Sequence, residues 1–183
     1  MQSYITILFL SLANVAITKA YSYMETNQER FKIQTPKSYL SQKVNPQSAK
    51  FITIDGKERE WLSSLYAQEV DFISSYLPRI RIPTLHDFDL AYGIWKTGKK
   101  HSKQQVIIAL GSALGTQCNK NLNTEWVKIV LGEEVDYTIM SANRDAFICP
   151  FTDIEKMINF DTQGFLSMIY NNFDQDLKSQ CSK

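Results

Sequence analysis

Residues 106–140 read VIIALGSALGTQCNKNLNTEWVKIVLGEEVDYTIM, and the fold class turns on a change of period inside this stretch. Up to Cys118 the apolar residues follow helical spacing. Val106, Leu110, Ala113 and Gln117 form one row, and Ile107, Leu114 and Cys118 form the next. Ser102 and Gln105 fit an S-x-x-Q capping box just ahead of them. Past Thr124 the pattern alternates. Val127, Ile129 and Leu131 share one face of a first strand, and Val135, Tyr137 and Ile139 share one face of a second. Gly132-Glu133-Glu134 is a hairpin loop between them. A helix followed by a local hairpin places the chain in the α+β class. Gly111 and Gly115 lie four apart on one side of the helix, where each costs stability relative to alanine, so another element is expected to approach the backbone there.

Working outward, Asp55-Gly56 opens a helical pattern carried by Trp61, Leu62, Leu65, Phe72, Ile73, Tyr76 and Leu77 and ended by Pro78. Thr84 and Asp87 form a capping box for a second helix with Leu85, Phe88, Tyr92 and Trp95, ending near Gly98. On the other side, Ser141 to Arg144 make a turn and Asp145 to Cys149 read as a third short strand. Thr152 and Glu155 fit another capping box, which starts a helix at Thr152 and leaves Cys149 at a strand end. A last helix carries Phe165, Met168, Ile169 and Phe173 as its apolar stripe. The expectation is an α+β domain over residues 55–178: three N-terminal helices, a three-stranded antiparallel meander, and closing C-terminal helices packed on the sheet.

The ends differ from this middle. Residues 1–20, MQSYITILFLSLANVAITKA, combine an uncharged apolar run with small residues before Ala20, the pattern of a cleaved secretory signal. The run is short for a membrane span, which takes about 20 apolar residues, so no span is expected after cleavage. Residues 21–54 are polar, aperiodic and interrupted by Pro36 and Pro46, and read as an extended or partly disordered lead-in. Residues 179–183 read as a polar tail. The chain of 183 residues carries 20 Lys and Arg against 19 Asp and Glu. That balance gives no electrostatic reason to expect a nucleic-acid partner or an anionic membrane surface.

The order of these signals resembles an uncharacterised family of small bacterial domains. Its pattern is L-G-x-x-[LF]-G, a Trp-containing strand, a hairpin with an acidic turn, and P-F with a Lys a few residues on. The matching positions are Leu110, Gly111, Leu114, Gly115, Trp126, Pro150, Phe151 and Lys156, within a resemblance that spans roughly Lys57 to Leu177. It implies the same α+β fold and supplies no mechanism. Members near toxin genes imply a protective role for some of the family.

Candidate chemistry is sparse. Export favours disulfides, and Cys118 and Cys149 come together if the glycine helix covers the sheet. That staple would be worth about 3 to 4 kcal/mol on the chain-entropy account. Pairing through Cys181, or no disulfide at all, stays open. Cys149 as a nucleophile would need a thiolate and a nearby base, and His86 and His101 are both distant in sequence. His86-Asp87-Phe88-Asp89 mixes ligand types, yet acids in a first helical turn ordinarily serve the helix dipole, so no metal and no cofactor is expected. Glu133, Glu134 and Asp136 cluster at the hairpin, and a solvated turn is their ordinary role. No G-x-S-x-G, P-loop, G-x-G-x-x-G or H-E-x-x-H pattern occurs.

The expected protein is therefore an exported, periplasmic or secreted binding protein with no catalytic residues. Its most specific form is an immunity protein that neutralises an antibacterial toxin, with Glu133, Glu134 and Asp136 as the partner-facing edge. The alternatives are a thiol-dependent enzyme or redox protein using Cys149, and an envelope accessory protein that binds a peptide or lipid in an exposed apolar groove.

Overall fold

Three helix starts are built from reciprocal caps. Asp55, Thr84 and Ser102 each accept from the backbone N–H three residues on, and that residue's side chain accepts from the cap's own N–H. A computed structural model describes residues 50–131, 134–144, 146–160 and 164–180, all within the unit Ser38–Lys183. The expected signal segment, residues 21–49 of the lead-in, Glu133 and Cys181 lie outside the described residues.

The Asp55 cap does not open one long helix. It opens α1 (Gly56–Ser64), which gives way at Leu65 to α2 (Tyr66–Tyr76). Serine hydroxyls account for the break. Ser63 Oγ donates to the Arg59 carbonyl at 2.8 Å and Ser64 Oγ to the Trp61 carbonyl at 2.6 Å. The Leu65 N–H turns to the Leu62 carbonyl instead, a tighter turn that buries the Leu65 side chain. Helices α3 (Leu85–Gly98) and α4 (Lys103–Asn121) follow their caps.

The sheet has four strands among the described residues, not three. β1 (Lys50–Thr53), β2 (Thr124–Leu131), β3 (Glu134–Ser141) and β4 (Phe147–Ile148) lie in the order β1-β2-β3-β4, all antiparallel. The added strand comes from the expected lead-in, where four residues are too few to display a period. The third expected strand shrinks to Phe147–Ile148. In register, Phe51 pairs with Ile129, Val127 with Thr138, and Met140 with Phe147, which puts these residues on one face. The rings of Phe51 and Phe147, from opposite edge strands, stand 5.2 Å apart. Three strand spacings in a flat sheet would separate the edges by about 14 Å, so the sheet curls around this face.

The opposite face, with Trp126, Tyr137, Ile139 and Ile148, meets the helices. Trp61 of α1 packs on Tyr137 at 4.9 Å, and Lys128 Nζ donates to Glu58 Oε1 at 2.5 Å. Helix α4 is the centre of the core, with Val106, Leu110, Leu114 and Cys118 buried. Helix α5 (Pro150–Asn159) and helix α6 (Phe165–Gln180) close the fold, and α6 runs two residues into the expected tail. The start of α6 is held from outside. Asp89 of α3 accepts from the backbone N–H groups of Leu166 and Ser167 at 3.0 and 3.1 Å and from the Ser167 hydroxyl at 2.8 Å.

Candidate functional site

The residues that carried the family resemblance meet in space, and what they build is packing. A Cβ on Gly111 would stand 2.4 Å from Phe151 Cδ1, and one on Gly115 would stand 2.0 Å from Trp126 Cζ2. The Trp126 and Phe151 rings stack with centroids 5.7 Å apart and planes 15° apart. Leu110 and Leu114 are fully buried beside them. One member of the pattern, Lys156, belongs to a different environment on the far side of α5.

That environment is a polar cluster between β3 and the first turns of α5. The helix begins at Pro150, two residues before the expected Thr152 start, because proline suits a first helical position. Cys149 therefore becomes the N-cap residue. Thr152 does not cap the helix. Its hydroxyl donates to Asp136 Oδ2 at 2.6 Å, and Asp136 Oδ1 accepts from the Tyr137 N–H at 2.7 Å. The Cys149 N–H donates to Asp153 Oδ2 at 3.2 Å, and Cys149 Sγ lies 3.1 Å from Thr138 Oγ1. Lys156 Nζ is buried here without a hydrogen-bond partner among the described residues.

The charges of the cluster are set by burial. Burial pushes the Asp136 carboxyl above its ordinary range, against the pull of the Thr152 and Tyr137 hydrogen bonds and the Lys156 ammonium. Burial likewise takes Asp153 up to about 6, opposed by Lys156 and by the Cys149 N–H. The Cys149 thiol is pushed up to about 12 by burial first and by the neighbouring Asp136 charge second. Burial alone takes the Cys118 thiol to about 12. Both are thiols at neutral pH, and nucleophilic cysteine chemistry requires the thiolate. Cys118 and Cys149 are free, so the staple expected between them is not formed. Cys118 belongs to the core beside the sheet-facing helix rows, whereas Cys149 turns to Thr138 on the sheet's curled face.

The other expected site residues scatter. Asp136 turns inward and so is no partner-facing acid, and Glu134 is the first residue of β3. Asp87 holds its own helix cap, which keeps its carboxyl below the usual range, and Asp89 holds α6. No group of three or more His, Cys, Asp and Glu able to hold a metal occurs among the described residues. His101 Nε2 lies 2.9 Å from Asp71 Oδ2 and its Nδ1 lies 3.1 Å from the Tyr76 hydroxyl, which ties α2 to the loop before α4. A second buried carboxyl, Glu69, accepts from Ser112 at 2.5 Å and from Thr116 at 3.3 Å, and its pKa is raised by burial. Among the described residues no helix is long and apolar enough to cross a membrane.

Next to the polar cluster opens a groove of about 470 Å³ between β4, α5 and α6. Phe147, Met157, Met168 and Phe173 supply its apolar walls, and Asp153 and Asp176 supply its charge. Phe147 is 46% exposed and Met168 41% exposed. Met168 belongs to the expected apolar stripe of the last helix. Its exposure follows from helix geometry: Phe165, Leu166 and Phe173 take the core face, which leaves Met168 on the flank toward the groove. Asp153 is thus shared, with one carboxylate oxygen on the Cys149 N–H and the residue among those lining the groove. Compared with models of known protein families, with curated proteins and with solved structures, the chain matches none.

Proposed function

We propose that this protein works by binding a protein or peptide partner through the groove between β4, α5 and α6, without catalysing a reaction. The observation that carries the reading is the exposure of Phe147 and Met168 on the walls of a concave, mostly apolar groove. Against a thiol enzyme stand the two thiols held protonated by burial. An exported immunity protein that neutralises a toxin is the specific form of this reading. Its supports are the signal-like N-terminus and the resemblance to small bacterial domains found near toxin genes. In that form the groove, rather than the acidic hairpin, faces the toxin.

Affinity capture by the full chain in its native organism tests the reading. One partner should be recovered by the parent protein and lost with Met168→Glu. A partner retained equally by Met168→Glu and Phe147→Ser variants would remove the groove from the proposal. Deletion of the gene should sensitise cells to killing by their siblings. Full resistance after deletion would defeat the immunity form.

A further inference from the structure

The groove walls carry a consistent electrostatic sign. Among the described residues, Asp153 on α5 and Asp176 on α6 are the only charged side chains of the lining, with no Lys, Arg or His. Lys156, which acts on Asp153, has its ammonium nitrogen buried away from solvent. The apolar lining includes Phe147, Met157, Met168 and Phe173. Two of these are methionines, whose unbranched, polarisable side chains adapt to differently shaped apolar partners. The volume of about 470 Å³ lies within the range in which pockets hold a few side chains of a ligand. An apolar trough with carboxylates on two of its walls complements one kind of ligand: apolar side chains interspersed with positive charge.

Resting on the proposed binding role of this groove, we infer that its partner is a cationic, amphipathic peptide segment. Apolar side chains of that segment lie against Phe147, Met168 and Phe173, and a lysine or arginine sits between Asp153 and Asp176. Anionic and neutral apolar ligands are disfavoured by the same two carboxylates, since burying a like charge against them, or leaving them without a counter-charge, costs affinity.

The placement of Asp153 makes the preference depend on pH. Its carboxyl faces the Cys149 N–H and thiol, Asp136 of β3 and Lys156 of its own helix, and Asp176 lines the same groove. Ionisation near pH 6 gives Asp153 its negative charge above that value and removes most of it at pH 5. Attraction for a cation is accordingly greater at pH 7.5 than at pH 5.

Three synthetic peptides that share the same leucines, alternating with lysine, serine or glutamate, test the inference by fluorescence anisotropy on the full chain at low salt. The lysine peptide should bind about tenfold more tightly than the serine peptide at pH 7.5, as two weakly screened ion pairs would give, and the glutamate peptide should bind most weakly. Asp176→Lys, an exposed substitution, should abolish the lysine peptide's advantage, and lowering the pH to 5 should reduce it. Equal affinity for all three peptides would overturn the charge preference and leave the groove as an apolar binding site. Absence of binding by any of them, or binding indifferent to Met168→Glu, would overturn the groove reading itself.

Discussion

Helix α5 meets its neighbours through two contrasting surfaces. Toward α4 it presents Phe151, seated against Gly111 and stacked on Trp126. Toward β3 it presents Thr152, Asp153 and Lys156, which with Asp136 and Cys149 form a cluster of buried polar groups. The first surface gains stability from close apolar contact and fails when a single carbon is added. The second stores protons at a cost in desolvation, and its stability depends on pH. One ten-residue helix thus joins a close-packed aromatic seam to a titratable one.

The largest expected effect is on the apolar side. Gly115→Ala should destabilise the protein by about 2 to 3 kcal/mol through overpacking, because the new Cβ meets the Trp126 ring at 2.0 Å. Helix propensity alone predicts the opposite sign, a gain of up to about 1 kcal/mol, so urea denaturation separates the two accounts. Trp126→Phe removes the indole atoms in the way, and the double variant should lose less than the sum of the single ones. Additive losses would break the proposed contact.

On the polar side, Asp136→Ala should cost about 2 kcal/mol, since the Thr152 hydroxyl loses its acceptor and the buried Lys156 ammonium loses a nearby carboxyl. Asp136→Asn retains an acceptor for Thr152 and should cost less. Equal stability of Asp136→Ala and the parent protein would mean that the cluster contributes nothing to the fold.

The contrast in pH dependence follows from Asp153. Its folded pKa lies above the unfolded value of 3.8, so the folded state holds the proton more tightly. The resulting stabilisation is complete below about pH 4 and is lost as pH rises through about 6. Asp153→Asn cannot ionise, so its stability relative to the parent should rise between pH 4 and pH 6 and then level off. A flat difference across that window, measured by thermal melts, would contradict the burial of this carboxyl. Gly111 and Gly115 variants should show no such slope, because the atoms their added Cβ would meet belong to the Phe151 and Trp126 rings, which do not ionise.

The smallest perturbation is chemical. Native protein should react slowly with a thiol reagent at neutral pH at both Cys118 and Cys149, and fully only after unfolding. Rapid labelling of Cys149 in the native state would revive the thiol reading.

Much of this contrast was legible beforehand on one side only. The caps at Thr84 and Ser102, the helical period through α4 and the alternation of β2 and β3 are local patterns, and each built the element expected of it, while the Asp55 cap opened a shorter helix than expected. The α4 glycines signalled close approach, although the rings that fill it come from distant β2 and α5. Local rules misled where two of them competed. Pro150 prevailed over the Thr152 cap as the helix start, and two serine hydroxyls split the first helix at Leu65. The groove gave little sign of itself, because Met168 fits an apolar stripe equally well whether the stripe is wholly or partly covered.

By itself the sequence determined the α+β class, most helix starts and the central hairpin, since hydrophobic period and capping act over a few residues. Tertiary structure alone decided that β1 joins the sheet, that Cys118 and Cys149 remain apart, and that Asp136, Asp153 and Lys156 share one buried space. Those outcomes depend on which distant residues are brought together. The energy of a buried charge is set by its surroundings in space, which no local period encodes.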